Sequence, residues 1–158
     1  MLRLSKLTDY AVVVLTRLAR DGDAAPSGPV QNAFSLAGET GIAEPTVAKV
    51  LKLLAQAGLV EGVRGPRGGY RLTRPMASVP LSDIIVAIDG PIALTACVDG
   101  GTGMCEAEGI CPVRGRWDPV NAAVRAALSA VTIADLSRPS CTAHHARPVS
   151  TAAHVAAE

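Results

Sequence analysis

Residues 42–72 read IAEPTVAKVLKLLAQAGLVEGVRGPRGGYRL, and this stretch carries most of the information about the fold. Its first part predicts a helix, because Pro45 stands near a helix start and Gly58 stands where a helix commonly ends. Between these two residues, one side is apolar at the spacing of an amphipathic helix and carries Val47, Val50, Leu51 and Leu54. We expect this side to pack on a core.

The second part of the stretch predicts a β-hairpin. Residues 59–63 and 69–72 alternate like strands, and they flank the turn RGPRG at residues 64–68. Glycines let such a turn approach a phosphate chain or a narrow groove, and Arg64 and Arg67 supply positive charge for phosphates or the minor groove. A solvated basic hairpin is the alternative, but the helix directly before it favours a DNA-binding wing.

Two more helices are predicted before this stretch. Residues 6–20 predict a first helix that Thr8 or Ser5 can cap, and the Gly- and Pro-rich residues 21–33 predict a loop. A shorter helix opens on Ser35 and stops at Gly41. A short helix, a tight turn and a longer helix form a helix-turn-helix pattern. We therefore predict a mainly α fold whose residues 1–75 are a winged helix-turn-helix DNA-binding domain with a short β-hairpin wing.

Residues 76–138 predict a second region. A linker at residues 75–80 leads to a helix from Ser82 to Gly90, and a loop rich in Gly, Cys and acidic residues follows at residues 97–111, here called the cysteine loop. Beyond it, apolar residues at intervals of three and four predict one long C-terminal helix, with a seam of Trp117, Val120, Val124, Ala127, Val131 and Ala134. Such a seam favours a dimerisation helix over packing within one subunit, because a two-fold dimer can place two recognition helices on palindromic DNA.

The composition narrows the functional classes. No apolar run approaches the roughly 20 residues that span a bilayer, and the N-terminus does not read as a signal peptide, so we expect a cytoplasmic protein with no membrane partner. Residues 1–75 hold ten Lys/Arg against six Asp/Glu, whereas residues 76–138 hold four against seven, and this asymmetry favours a polyanionic partner for the first half. All three histidines lie in residues 139–158, a predicted disordered tail, and no catalytic set is evident, so we expect no enzyme.

The cysteine loop carries the chemistry of the second region. Its spacing, Cys97-x7-Cys105-x5-Cys111, does not fit the short knuckles of structural zinc sites. Thiolates are the preferred ligands of iron–sulfur clusters, which usually take four, so one ligand would be missing. Cys141 lies in the tail, outside this motif. A redox disulfide pair, or loop thiols without function, are the alternatives to cluster or metal binding.

Five segments together resemble a known family: MLRLSKLTDYA, EPTVAKVLKLLAQAGLV, VRGPRGGYRL, LSDIIVAIDGPIALTAC and CPVRGRW. Over about residues 1–136 the chain resembles the iron–sulfur winged-helix transcription regulators related to IscR and NsrR, and within them the regulators of the SUF cluster-assembly system. The resemblance implies a homodimer that binds promoter DNA, with contacts from Thr46, Val47, Lys49, Arg64, Pro66 and Arg67, to which we add Lys52 of the same helix.

The resemblance also assigns Cys97, Cys105 and Cys111 as cluster ligands. Members related to IscR carry a histidine where this chain has Arg114, which cannot be a ligand. Members related to NsrR complete the site with an acidic residue from the partner's first helix, and Asp9 stands at that place. We favour [2Fe-2S] over [4Fe-4S] and expect a cluster-sensing repressor of iron–sulfur cluster assembly genes. A redox- or nitric-oxide-responsive regulator using the same cysteines, and a winged helix that binds protein, remain alternatives.

Overall fold

The computed structural model describes residues 4–19, 28–98, 100, 101, 105 and 110–138. These residues form mainly helices with one two-stranded antiparallel hairpin. The elements are α1 (Lys6–Leu18), α2 (Ala33–Thr40), α3 (Glu44–Gln56), β1 (Val60–Val63), β2 (Gly69–Leu72), a 3-10 turn (Met76–Ser78), α4 (Leu81–Asp89), α5 (Asp118–Ser129) and α6 (Ile133–Ser137). The predicted mainly α winged-helix fold class is confirmed.

The first two helices begin at polar caps. Ser5, one of the two predicted caps, starts α1 because its Oγ accepts a hydrogen bond from the Thr8 amide at 3.1 Å. Asn32 starts α2 because its Oδ1 accepts from the Ser35 amide at 2.8 Å. The prediction that α2 opens on Ser35 is therefore wrong, whereas its stop at Gly41 is confirmed.

The chain passes from α3 into the hairpin through a compact reversal. Gly58 adopts a φ of +71°, its amide donates to the Ala55 carbonyl at 3.1 Å, and the Leu59 amide donates to the Leu54 carbonyl at 2.9 Å. These two bonds form the Schellman arrangement that satisfies the last carbonyls of a helix. The predicted helix end near Gly58 is therefore confirmed, and β1 begins at Val60.

The hairpin is also tied to the chain that enters α2. Val60 pairs with Leu72 and Val63 with Gly69 in the antiparallel register. Outside the hairpin, Gln31 exchanges two backbone hydrogen bonds with Tyr70, at 3.0 and 2.8 Å. A Cβ on Gly69 would lie 2.4 Å from the Gln31 carbonyl oxygen, so only glycine permits this close approach. The second strand of the wing is therefore hydrogen-bonded both to the first strand and to the chain that enters α2.

One apolar core unites most of these elements. Leucines and valines of α1 and α3 form its centre, and the hairpin, the 3-10 turn, α4 and α6 add to it. Val79, Ile84 and Ile133, all from beyond residue 75, are at most 1% exposed and belong to the same cluster. We call α1–α4, β1, β2 and α6 together the head.

The prediction of one uninterrupted helix through residue 134 is wrong. Helix α5 ends at Ser129, and α6 starts anew from a capping box in which Thr132 Oγ1 accepts from the Asp135 amide while the Thr132 amide donates to the Asp135 carboxylate. The residues between the two helices pair with the chain at the start of α4, since the Leu81 amide donates to the Val131 carbonyl at 2.8 Å. Burial of Ile133 in the core thus overrides continuation of the helix. Among the described helices, none has the length and hydropathy that a membrane span requires.

Candidate DNA-binding face and cysteine loop

Helix α3 has an apolar side and a polar side. The apolar residues predicted for the core are fully buried, whereas Lys49 and Lys52 are exposed and Thr46 is partly exposed. Val47 has no exposed surface, which contradicts the expectation that its side chain contacts DNA. The reason is the helical spacing itself, because Val47 shares its face with Val50 and Leu54. The polar side of α3 is the part that remains available to a partner.

The tip of the wing is exposed. Arg64, Pro66 and Arg67 all stand at the surface, and the Gly68 amide closes the turn by donating to the Gly65 carbonyl at 2.9 Å. Gly65 has a φ of +126°, a conformation that side chains disfavour. The turn thus projects two guanidinium groups from a backbone that its glycines keep tight.

The positive side chains of this face differ from four arginines elsewhere on the described surface in how they are paired. Those four arginines form ion pairs with carboxylates, namely Arg17 with Glu39, Arg71 with Glu61, Arg74 with Asp83 and Arg138 with Asp135. Within the described part of the chain, Lys49, Lys52, Arg64 and Arg67 form no such pair. Cations without an internal partner release condensed counterions from a polyanion without first breaking a salt bridge. The arrangement suits a duplex contacted by α3 and by the wing together.

The cysteine loop folds back on itself beside its first thiol. The Gly101 amide donates to the Val98 carbonyl at 2.9 Å, and Val98 is buried. A Cβ on Gly101 would lie 2.5 Å from the Ala96 carbonyl oxygen, so the backbone at this point comes closer than any side chain allows. The Thr95 hydroxyl lies 3.4 Å from Cys97 Sγ. The Thr95 hydroxyl and the turn that joins Val98 to Gly101 therefore lie beside Cys97.

Cys97, Cys105 and Cys111 are all free thiols, and each is partly exposed. They are not assembled into a metal site, since the described residues contain no group of three or more His, Cys, Asp or Glu side chains that could hold an ion. Asp9 is exposed in the first turn of α1, and Arg114 is exposed after the third cysteine. Cys141 and the three histidines lie outside the described residues. The donor chemistry of the three thiols fits an iron–sulfur cluster, and one chain supplies them unassembled.

Two residues near the loop were not predicted from the sequence. Asn121 of α5 is 3% exposed, and its side-chain oxygen and nitrogen both form hydrogen bonds with the backbone before Cys97. Asn121 lies four residues after Trp117 and three before Val124, which puts it on the apolar seam. A buried amide on that seam requires hydrogen-bond partners, and this spacing is the signal from which the role of Asn121 could have been predicted. Asp89 ends α4 and accepts hydrogen bonds from the start of α1, a contact between distant segments that no local pattern indicates.

The Asp89 carboxyl is held in its ionised form. Burial raises its pKa, but hydrogen bonds from the Ser5 side chain, Thr8 and the Ser5 amide together outweigh that effect and leave the pKa below its ordinary value. The Thr8 hydroxyl donates to Asp89 Oδ2 at 2.8 Å, and Thr8 is fully buried. Thr8, the residue before Asp9 in α1, is thereby attached to the end of α4.

The helix-turn-helix, the anchored wing and the unpaired cations on both define a winged-helix DNA-binding protein. Residues 4–139 match the family described as Rrf2, iron-dependent transcriptional regulator, and the chain belongs to that family. Its relatives and structural neighbours are transcriptional regulators and not enzymes.

Individual relatives agree with this assignment. Protein aau3 of Rhizobium meliloti (strain 1021) is 35% identical over 129 residues, which cover 82% of this chain and 76% of that protein. The structure of CymR, the global cysteine regulator of B. subtilis, is similar with a TM-score of 0.65 and 28% identity, covering 87% of this chain and 97% of CymR. IscR of T. potens gives a TM-score of 0.59 and 27% identity over 85% of each chain. The resemblance to IscR-type regulators is confirmed.

Proposed function

We propose that this chain is a homodimeric transcription repressor that senses iron–sulfur cluster supply and controls the genes for cluster assembly. One observation carries the proposal: the chain that presents unpaired cations on α3 and the wing also holds three free, partly exposed thiols in a single loop. One small protein thus combines a surface that suits DNA binding with a set of soft metal ligands. The relatives named IscR support the same assignment.

DNA binding follows from the two exposed parts of the head. The polar side of α3 enters the major groove, where Thr46, Lys49 and Lys52 reach base edges and phosphates. Pro66 places the tip of the wing against the duplex, while Arg64 and Arg67 contact phosphates or the minor groove. Because the wing is anchored at Gly69 and Tyr70, its arginines approach the duplex in a fixed relation to α3.

Ligand binding rests on the cysteine loop and on a partner. Cys97, Cys105 and Cys111 would hold the cluster, and Asp9 of the second subunit would supply the fourth ligand. When bound, a cluster, for which we favour [2Fe-2S], supplies iron–thiolate bonds that join these positions. Since the thiols are not assembled in the single chain, they must lose their protons and move together when they bind iron. Ligand binding therefore changes the conformation of the loop.

Dimerisation would use α5. Asn121 is the one buried residue of this helix, while Trp117 and Val120 on its seam are 42% and 46% exposed. Ile110, just before the third cysteine, is 89% exposed. Apolar side chains exposed together in this way favour a contact with a second copy. Such a dimer would bring the cysteine loop near the partner's α1 and would set the spacing of the two α3 helices.

The test is an anaerobic reconstitution with iron and sulfide. The wild-type protein should acquire visible absorbance with stoichiometric iron and sulfide, and alanine at any one of the three cysteines should remove it while circular dichroism and the dimer mass stay unchanged. Asp9→Ala should weaken retention of the cluster without abolishing the fold. Absence of absorbance in the wild-type protein under these conditions contradicts the proposal.

A redox- or nitric-oxide-responsive regulator is the second candidate, favoured by one observation. The three thiols are free, partly exposed and unassembled, which also suits direct thiol chemistry. In that case an oxidant or nitric oxide should change the DNA affinity of the iron-free protein. If only the iron-loaded protein responds, this candidate is excluded.

A further inference from the structure

The segment that leads into the first cysteine, residues 90–96, is bonded to α5. Asn121 Oδ1 accepts a hydrogen bond from the Leu94 amide at 3.0 Å, and Asn121 Nδ2 donates to the Ile92 carbonyl at 3.1 Å. Both bonds are shielded, since Asn121 is 3% exposed. A single side chain thus serves one donor and one acceptor of the backbone, and Leu94 lies three residues before Cys97.

This attachment differs from the other described contacts of α5. Every other residue of the helix is at least partly exposed, and Asn121 is the one that is buried. The Ser129 hydroxyl donates to the Ser82 hydroxyl at 2.9 Å, but this bond is exposed and joins α5 to the first turn of α4. Asn121 is therefore the buried polar link between α5 and the segment that leads into the cysteine loop.

The same segment is attached to the head at its other end. Asp89, directly before residue 90, accepts from the Thr8 hydroxyl at 2.8 Å and from the Ser5 amide at 3.3 Å. Thr8 is fully buried in α1. The chain from Asp89 to Cys97 therefore runs from an anchor on α1 to an anchor on α5, and a change at Cys97 acts on both helices.

We propose that Asn121 is the positioning residue that couples the cysteine loop to α5. It holds Cys97 at a fixed place relative to the helix and transmits movement of the loop to that helix and to the partner subunit. The transmission rests on the proposed function, since it requires Cys97 to be a ligand. The positioning of Cys97 does not rest on the proposed function, because the hydrogen bonds are made by the chain without iron.

The first measurement uses the iron-free dimer. Asn121→Leu keeps the size of the side chain and removes both hydrogen bonds, whereas Ser129→Ala removes the exposed α5–α4 bond and is the matched control. We expect Asn121→Leu to raise alkylation of Cys97 several-fold relative to Cys111 and to speed hydrogen exchange at the Leu94 amide. Ser129→Ala should leave both quantities unchanged. A merely structural role would accelerate the two thiols alike and leave their ratio constant, and that result overturns the proposal.

A second variant distinguishes the loss of these hydrogen bonds from a loss of the fold. Asn121→Asp keeps an acceptor for the Leu94 amide and loses the donor to Ile92, so it should give a smaller rise in the Cys97 to Cys111 ratio than Asn121→Leu. If the aspartate variant equals the leucine variant or the wild type in this ratio and in Leu94 exchange, the two hydrogen bonds do not position Cys97.

The transmission is tested by DNA affinity, on a duplex selected from a random pool by the wild-type protein. In the wild type, iron-loaded and iron-free dimers should differ in affinity, and in Asn121→Leu that ratio should fall toward one although the cluster still binds. An unchanged ratio in a cluster-bearing variant overturns the transmission and leaves the proposed function standing. If the wild type binds no cluster, the proposed function fails, and the thiol ratio alone still decides whether Asn121 positions Cys97.

Discussion

The head and the region formed by the cysteine loop with α5 are built in opposite ways. The head buries a continuous set of leucines, valines and isoleucines from helices, hairpin and α6. In α5 one residue is buried, and it is an asparagine. The head therefore holds its DNA-facing side chains in place by itself, whereas the second region leaves apolar side chains and thiols open to partners. Under the proposed function, DNA binding is fixed by the fold of the head, and sensing is completed by the ligand and the second subunit.

The largest expected effect is on the stability of the head when a core side chain is truncated. Leu51 of α3 is fully buried in the core, so Leu51→Ala should lower the free energy of unfolding by about 2–5 kcal/mol through lost burial and a cavity. Urea unfolding followed by circular dichroism measures this loss. Leu136→Ala is the control, because Leu136 is 45% exposed and its truncation should cost under about 1 kcal/mol. Equal losses for the two variants would contradict the description of the core.

The next effect concerns DNA binding by the wing. Arg67→Ala should weaken duplex binding by about 1–3 kcal/mol or, if the contact is to phosphate alone, lower the salt slope by about 1. Fluorescence anisotropy at several salt concentrations separates these outcomes. Arg138→Ala is the control, because Arg138 pairs with Asp135 away from the wing and α3. The same loss from both arginines would show that the effect is one of general charge.

A smaller effect should follow from a methyl group placed in the cysteine loop. Gly101→Ala forces the backbone away from the Ala96 carbonyl, so it should alter alkylation of Cys97 and reduce cluster uptake, with a change of only about 1 kcal/mol in unfolding. Gly38→Ala provides the matched control, since nothing lies within 4 Å of its Cβ position in α2 and alanine should stabilise the helix by about 0.5–1 kcal/mol. Normal thiol reactivity in Gly101→Ala would contradict the close approach.

The smallest effect is the pH dependence of Asp89. Because its pKa is lowered in the folded protein, its ionised form stabilises the fold above the ordinary carboxyl pKa of 3.8, and that contribution is lost as pH falls through the lowered value. Asp89→Asn should therefore be less stable than the wild type near pH 7, by under about 1 kcal/mol for such an exposed group, and the two should converge in acid. Unfolding at pH 7 and at pH 3 measures this, and a gap that grows toward acid would contradict it.

Local patterns predicted the head well. The spacing of Val47, Val50, Leu51 and Leu54 gave the buried side of α3, and the glycines at the ends of α2 and α3 gave their stops. The same spacing should have excluded Val47 from the DNA contacts, since one side chain cannot be fully buried and also reach DNA. The assignment taken from family resemblance overrode the residue's own position.

The second region was predicted less completely because its contacts are distant in sequence. The seam through Val131 and Ala134 suggested one helix, but Thr132 and Asp135 form a capping box that restarts the chain as α6, and that pair was readable in the sequence. The attachments of Asn121 and Asp89 join segments far apart in the chain. No periodicity reports such bonds, and the spacing of the cysteines did not indicate whether the thiols are assembled.

The claim that the cysteine loop controls the head is tested by comparing the duplex affinities of the iron-loaded and iron-free dimers under anaerobic conditions, on the same selected duplex at the same salt concentration. If the cysteine loop controls the head, the two dissociation constants should differ by roughly 5- to 150-fold, the range typical of coupling between two sites. Alanine at Cys97, Cys105 or Cys111 should hold the protein at the iron-free value. Equal dissociation constants for a dimer shown to carry the cluster would contradict the claim.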